Sequence, residues 1–229
     1  VFASIYQYDY DGYQDELQQF DPIRGAGANF VSNADGITNK GFEVELYYAA
    51  TERLTLSGNF SYTETEYGED YFVFTVDDPI NPVPVFGTFT QGFISAQVTD
   101  PSQAADYTVN LKGGPLKGIP EEKATIRVSY EQDTRFGPLY YLLSHSYTGD
   151  FSASGIQRPL DRIDSRETTN LNISWFSQDG NLSVRAYIDN LFDNDNYYAL
   201  STGDHETNYR KSVTALPPRV MGVDMRYRF

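Results

Sequence analysis

Chemistry in this chain has few places to reside, because its 229 residues include two histidines and no cysteine. The missing cysteine excludes disulfides, thiol catalysis, iron–sulfur ligation and thiolate zinc sites together. His145 stands between Ser144 and Ser146, and serine beside histidine is the raw material of a hydrolase. On an extended strand, however, neighbours point to opposite faces. His145 then faces out, both serines face in, and no hydrogen-bonded pair forms. His205 lies in a loop without a nearby motif. Glu43 and Glu45 share one strand face at i,i+2, about 7 Å apart, a spacing at which paired carboxylates can serve glycoside chemistry. The preferred reading is a pair of solvated wall residues. The acidic runs Asp9-Tyr10-Asp11-Gly12, Glu64 to Asp70, Asp77-Asp78 and Asp193-Asn194-Asp195-Asn196 offer oxygens to calcium, but none matches the twelve-residue loop with its closing Glu. Gly113-Gly114 lacks the Lys-Ser/Thr pair of a phosphate-cradling loop. No catalytic, cofactor-binding or metal residue is assigned, and no enzyme activity or cofactor is expected.

Strict alternation of apolar and polar residues is the dominant pattern. In the last eleven residues Met221, Val223, Met225, Tyr227 and Phe229 fall on one face, against Gly222, Asp224, Arg226 and Arg228. The same split runs through Phe42-Val44-Leu46-Tyr48, Leu54-Leu56-Phe60-Tyr62, Ala124-Ile126-Val128-Tyr130, Leu139-Tyr141-Leu143-Tyr147, Leu171-Ile173-Trp175 and Leu182-Val184-Ala186-Ile188. With the opening stretch Phe2 to Tyr13, whose parity is ambiguous, eight strands and no helix are expected. Three Asn-x-Ser triplets, at Asn59, Asn172 and Asn181, are read as strand alternation rather than as glycosylation acceptors.

Connections alternate as well. Thr51-Glu52-Arg53, Asp133 to Gly137 and Gln178-Asp179-Gly180 are tight turns. Long polar links run from Phe20 to Gly36, Glu64 to Pro120, Gly149 to Glu167 and Phe192 to Pro217. A link of more than about 50 residues argues against an ordinary soluble domain. Short turns on one edge and long loops on the other are expected of an outer-membrane barrel.

Composition agrees. Nineteen Tyr and fifteen Phe sit in a chain whose mean hydropathy is -0.49, so two kinds of surface are needed. The aromatics close the ends of the apolar faces, at Tyr62, Tyr130, Tyr147, Trp175 and Phe229, as interfacial girdles require. No run approaches the ~18 apolar residues of a spanning helix. A net charge of -15 opposes nucleic-acid binding. The chain opens on Val1 in strand-like sequence without a leader, which predicts a processed chain or part of a longer one.

Four stretches carry a family resemblance. Asn190-Leu191-Phe192-Asp193 followed by Tyr197-Tyr198 resembles the "NLFD…YY" segment of TonB-dependent outer-membrane receptors. Pro217-Pro218-Arg219 leading into Arg226-Tyr227-Arg228-Phe229 is similar to their closing strand. Asn33 with Gly41-Phe42-Glu43-Val44-Glu45 resembles their "GxExE" strand, and Leu111-Lys112-Gly113 through Ile119-Pro120 the stretch before a later strand. The resemblance implies a barrel of roughly 22 strands plugged by an N-terminal domain, with residues 1–229 as its last eight strands and the plug and earlier strands absent. It further implies residence in the outer membrane of a Gram-negative bacterium and energy-coupled uptake of a scarce ligand, foremost a ferric siderophore. The implied partners are outer-membrane lipid, that small ligand and, through the missing N-terminal part, the TonB complex. The alternatives are a complete eight-stranded barrel acting as adhesin or small pore, and a soluble β-sandwich binding module.

Three structural expectations follow. Leu56, Ile126, Leu143, Ile173, Val184 and Val223 should face outward, and Ser57, Arg127, Ser144, Asn172, Arg185 and Asp224 inward. The first and last strands should both be edges. Loop aromatics Tyr67, Tyr71, Phe72, Phe74, Phe86, Phe89, Phe93, Tyr107 and Tyr209 are candidates to cap a ligand, although each alone is better read as loop packing.

Overall fold

Runs in which every second residue is apolar, with β-branched and aromatic side chains frequent, fit a pleated surface with one oily and one wet face. The computed structural model describes residues 1–21, 26–74, 108–202 and 210–229, and the chain builds such a surface throughout them. In chain order the strands are β1 (Phe2–Tyr10), β2 (Tyr13–Asp21), β3 (Ala26–Ala34), β4 (Ile37–Ala49), β5 (Leu54–Tyr67), β6 (Phe72–Phe74), β7 (Thr108–Asn110), β8 (Glu122–Thr134), β9 (Gly137–Thr148), β10 (Phe151–Ser152), β11 (Arg162–Ile163), β12 (Arg166–Phe176), β13 (Leu182–Asp189), β14 (Tyr197–Thr202), β15 (Lys211–Ala215) and β16 (Val220–Tyr227). Among the described residues the only helical element is the 3-10 turn Pro159–Asp161.

Eight strands form one antiparallel sheet in the order β1-β4-β5-β8-β9-β12-β13-β16. The sheet is open, and β1 and β16 are its two edges, as expected. Every second connection is a tight turn. In the one after β4, Thr51 Oγ1 accepts from the backbone N–H groups of Arg53 and Leu54. In the one after β12, Ser177 Oγ donates to Asp179. The other connections carry the small two-stranded sheets β2–β3, β6–β7, β10–β11 and β14–β15.

Four expectations are corrected in detail. The first strand ends at Tyr10, and residues from Tyr13 onward belong to a hairpin occupying much of the expected polar link. Cross-strand hydrogen bonds give that polar sequence a structure its hydropathy does not advertise. The last strand ends at Tyr227, with Phe229 beyond it and edge-on to the Tyr227 ring at 5.0 Å. Asn181 lies in the turn before β13, bonded to Asp179, rather than mid-strand. The ambiguous parity of β1 is also resolved. Tyr6 lies opposite Gly41 and its hydroxyl is 2.8 Å from Thr63 Oγ1, so Tyr6, Tyr8 and Tyr10 share the polar face, and Ala3 and Ile5 the apolar one.

Directly opposed residues share a face, so the register maps the apolar band. Tyr48, Leu56, Val128, Leu143, Leu171, Ile188 and Met221 form one row across seven strands. The predicted outward residues all fall on this face, and the predicted inward ones on the other. Ile126 is 58% exposed and Val223 71%, so they are not the interior of a sandwich.

The lower aromatic edge begins at Tyr48 on β4 and reaches Tyr227 on β16, six residues below Met221, the β16 member of the Tyr48 row. Six residues over six strand-to-strand steps is one residue per strand. With a rise of ~3.3 Å and a strand spacing of ~4.8 Å this is a tilt of about 35°. The upper edge descends in parallel, from Phe42 and Tyr62 to Ile188 and Met221. On β9, Leu139 to Tyr147 spans about 26 Å of strand, or about 22 Å along the axis at that tilt, close to the ~25 Å lipid-facing band of a barrel.

Candidate functional site

Above the band the outward face turns polar. Lys40 pairs with Glu64 at 2.9 Å there, and at the upper rim of the band itself, between Leu143 and Tyr147, His145 Nδ1 lies 2.8 Å from Thr169 Oγ1, with Glu167 at 3.6 Å from Nε2. His145 therefore points out, as parity requires, while Ser144 lies in the lumen row with Arg127 and Asn170. No serine–histidine pair forms there, and His205 lies outside the described residues.

The opposite face is the lumen wall. Ser57, Asn59, Ser61, Ser144, Ser146, Asn172 and Ser174 keep it low, and two aromatics lie flat against it. Tyr6 crosses β4 over Gly41, where a Cβ would stand 2.7 Å from the phenolic oxygen. Tyr187 covers Gly222, where a Cβ would meet its ring at 2.6 Å. The glycine of the Gly41-Phe42-Glu43-Val44-Glu45 stretch thus makes room for a tyrosine three strands earlier in sequence. Tyr6, Tyr8 and Tyr10 continue toward the mouth with ring centroids 5.5 and 6.2 Å apart.

Glu43 and Glu45 face this lumen beside a hollow of about 590 Å³ floored by Ser57, Asn59 and Ser61, with Arg127 on its far side. Arg185 and Asp224 form an ion pair lower down. Lys123, Thr148 and Arg166 stand side by side at the mouth. One Arg166 guanidinium nitrogen is buried without a hydrogen-bond partner, and burial pulls this group below its ordinary value.

Loops fold over the mouth and are tied sideways. Asp15, 4% exposed, accepts from Tyr67 at 2.7 Å and pairs with Lys117 at 2.9 Å. Lys117 also donates to the Glu16 carbonyl, and Ser32 bonds Tyr71. Tyr67 lies above the band, and burial, with the neighbouring Asp15, pushes its phenol well above the ordinary value. Around it pack Ala34, Ile37, Val73, Leu111 and Leu116. Gln157 donates to the Pro115 carbonyl, and Gly118 N to that of Ser152. Thr202 donates to buried Asp161, and Lys211 to the Leu160 carbonyl. Each loop is thereby fastened to the next.

The Asn190-Leu191-Phe192-Asp193 stretch is a clasp of the same kind. Asn190, buried and at φ 51°, donates to the carbonyls of Asn194 and Pro217 at 2.9 Å each and accepts from Asn194 N. Asp193 accepts from the backbone N–H of Arg219 at 2.9 Å. The two hold the end of β13 against the start of β16.

Of the candidate loop aromatics, Tyr67 and Tyr71 stack on each other at 5.5 Å inside the cap, which is the packing reading, while Phe72 is exposed. Phe74 belongs to β6. Phe86, Phe89, Phe93, Tyr107 and Tyr209 lie outside the described residues, as do Asp77 and Asp78. Among the described residues no three His or carboxylate groups converge to hold a metal ion.

A tilted antiparallel sheet, oily outside within two aromatic edges, polar inside and roofed by interlocked loops, is the wall of a transmembrane β-barrel. The chain belongs to the TonB-dependent receptor-like β-barrel family, whose model matches residues 1–191. Members of this family are outer-membrane receptors that bind small ligands such as siderophores and interact with TonB. Its fold is that of the ferric yersiniabactin uptake receptor FyuA from Yersinia pestis (TM-score 0.61, 18% identity, 87% of this chain and 25% of that one). The siderophore receptor PiuA from Acinetobacter baumannii matches at TM-score 0.61 and 15% identity over 97% of this chain and 25% of its own. The copper transporter OprC matches at 0.59 and 14%, over 98% and 28%. The chain spans about a quarter of the length of these structures. A comparison with curated proteins gave no match.

Proposed function

We propose that residues 1–229 are the C-terminal eight strands of a plugged outer-membrane receptor that takes up a scarce ligand, foremost a ferric siderophore, with energy supplied through TonB. The observation that carries this reading is the pairing of a lipid-facing band with a low, polar lumen wall under a tied cap. Such a wall serves passage and binding rather than bond chemistry. Neighbours named as siderophore receptors support iron chelates as the ligand class, and the copper transporter keeps other metals in view. The open sheet and the one-quarter coverage favour this reading over a self-closed eight-stranded barrel.

The test is uptake of radioactive iron from a panel of ferric chelates by iron-starved cells carrying the complete reading frame. Uptake that vanishes on deletion of the gene, and equally on loss of TonB, is the expected result. Uptake indifferent to both, for every chelate and for copper, would refute the transport reading.

A further inference from the structure

The lipid-facing band does not end on a smooth rim. Tyr147, the last outward residue of β9, and Glu167, directly opposite it on β12, share the outward face. They open onto a hollow of about 530 Å³ whose far wall is the segment from Asn194 to Tyr197, with Asp164 and Ser165 beside it. Interfacial aromatics sit at headgroup level. The hollow therefore lies where headgroups of the outer leaflet press against the protein, continuous with the lipid contact below.

The hollow is held open from behind. Asn194 donates to the Glu167 carbonyl and Asn196 to that of Ser165, both at 2.8 Å. The backbone N–H of Asn194 is bound in turn by the buried Asn190 side chain. Those bonds occupy the amides and leave other groups of the lining open. Among the described residues the carboxylates of Asp164 and Asp195 and the phenols of Tyr147 and Tyr197 have no hydrogen-bond or ion-pair partner. Such a lining selects its occupant. Carboxylates accept and cannot donate, so the occupant must bring hydroxyl or N–H donors rather than bare phosphate. Aromatic faces are electron-rich and favour the polarised C–H groups of a sugar ring. A phospholipid headgroup offers mainly phosphate, whereas a glycolipid headgroup offers donors around each ring.

We propose that this hollow is a saccharide site for the glycolipid of the outer leaflet. Tyr147 and Tyr197 flank an amino-sugar ring of the lipopolysaccharide headgroup, and Asp164, Glu167 and Asp195 accept from its hydroxyl and N–H groups. Hydrogen bonds to a charged acceptor are the stronger kind, and the backbone ties at Asn194 and Asn196 set the walls before the sugar arrives. The inference rests on the outer-membrane placement of the band and not on which ligand is transported.

The test uses the complete receptor, purified in detergent and stripped of lipid. The probes are lipopolysaccharide carrying only its inner-core sugars, the same glycolipid without its acyl chains, and phosphatidylglycerol. D164A/D195A/Y197A empties the hollow of its contacts and S165W fills it. K40A/E64A changes outward charges at the upper edge of the band on β4 and β5, away from the hollow. Binding is read by mass spectrometry of the intact complexes. Wild type and K40A/E64A are expected to bind the glycolipid alike, and both hollow variants on the order of tenfold more weakly. The deacylated saccharide should show the same preference with lower affinity, and phosphatidylglycerol should not distinguish the four proteins. Equal glycolipid binding by all four overturns the site, as does an equal loss in K40A/E64A or an equal loss of phosphatidylglycerol. Tighter binding of the deacylated saccharide than of the whole glycolipid overturns the leaflet as its source and makes this a site for free sugar. Where the emptied variant does not assemble, S165W decides. Failure of both hollow variants to assemble, with K40A/E64A normal, makes the hollow a packing element and overturns the site. Iron uptake is read separately in cells. No uptake from any source by the wild type removes the transport reading and leaves the site to the binding data. Intact uptake with equal glycolipid binding removes the site alone.

Discussion

The membrane band and the cap above it solve opposite solvation problems with the same sheet. Between Tyr48 and Phe42 on β4 the apolar side chains point away from the protein and bury nothing within it, since lipid is their solvent. A few residues higher, Ile37 and Tyr67 lie on the lumen side and are 1% exposed, covered by Ala34, Val73, Leu111 and Leu116. Polar groups invert too. Lys123 and Arg127 face the lumen among hydroxyls, whereas Asp15 is buried in the cap and must be met by Tyr67 and Lys117. The backbone is equally regular in both regions; the surrounding solvent decides which face becomes the core.

The strongest way to break that contrast is to place charge on the lipid face. Within the complete receptor, Leu143→Arg is expected to destabilise the fold by roughly 3 kcal/mol and to deplete the heat-modifiable form from the outer membrane, whereas Ser144→Arg, one residue away on the lumen face, leaves it within about 1 kcal/mol. Comparable loss from both variants would mean that the two faces are not solvated differently.

The clasp joining the two regions comes next. Asn190→Ala removes two donors and an acceptor from a buried site and leaves the Asn194 and Pro217 carbonyls unmatched. A loss of roughly 2 kcal/mol is expected, seen as faster hydrogen exchange at the start of β16 with the β4–β5 pair unchanged.

At the lower edge, Phe229→Asp is expected to slow assembly at a cost of about 1 kcal/mol near the interface, leaving ligand binding untouched. Normal folded yield and rate would show that the lower girdle ends at Tyr227.

Inside the cap, Tyr67→Phe removes one hydrogen bond to Asp15 while keeping the ring, and should weaken the loop tie by about 1 kcal/mol. Limited proteolysis between Asp15 and Lys117 would show it, while the assembled barrel stays resistant.

The smallest effect is a pH response confined to the cap. The bond from Asn110, and then the Lys112 ammonium, hold the Asp70 carboxyl below its ordinary value. A carboxylate depressed in the fold stabilises above its unfolded pKa, about 3.9, and loses that contribution as pH falls through the folded value. The tie between residues 70 and 110–112 should therefore be constant from pH 5 to 8 and loosen only below about pH 4. Hydrogen exchange in this loop, unresponsive to acid in Asp70→Asn, checks it.

Parity carried most of the fold. Leu54 to Tyr62, Ala124 to Tyr130 and Met221 to Phe229 declared their faces in sequence, because a lipid band tolerates few exceptions to alternation. Parity also sets His145 apart from Ser144. The first strand escaped, since Phe2, Tyr6, Tyr8 and Tyr10 are aromatic on what proves to be the wet side, and hydropathy cannot distinguish a tyrosine facing water from one at a lipid interface. The β2–β3 hairpin escaped as well, because its pairing is made by backbone bonds between polar residues. The contacts of Asp15 with Tyr67 and Lys117 join residues 52 and 102 positions apart, and no local spacing announces them.

The amino-acid sequence by itself determined the alternation, the turn spacing and the aromatic edges, hence a membrane-facing sheet of eight strands, because those are properties of single strands in a given solvent. Only the tertiary structure decided the register. Register set the tilt of one residue per strand, laid Tyr6 over Gly41, and brought Lys123, Thr148 and Arg166 side by side at the mouth. Lateral neighbours come from strand pairing between distant segments, and their energies depend on partners that no single strand specifies.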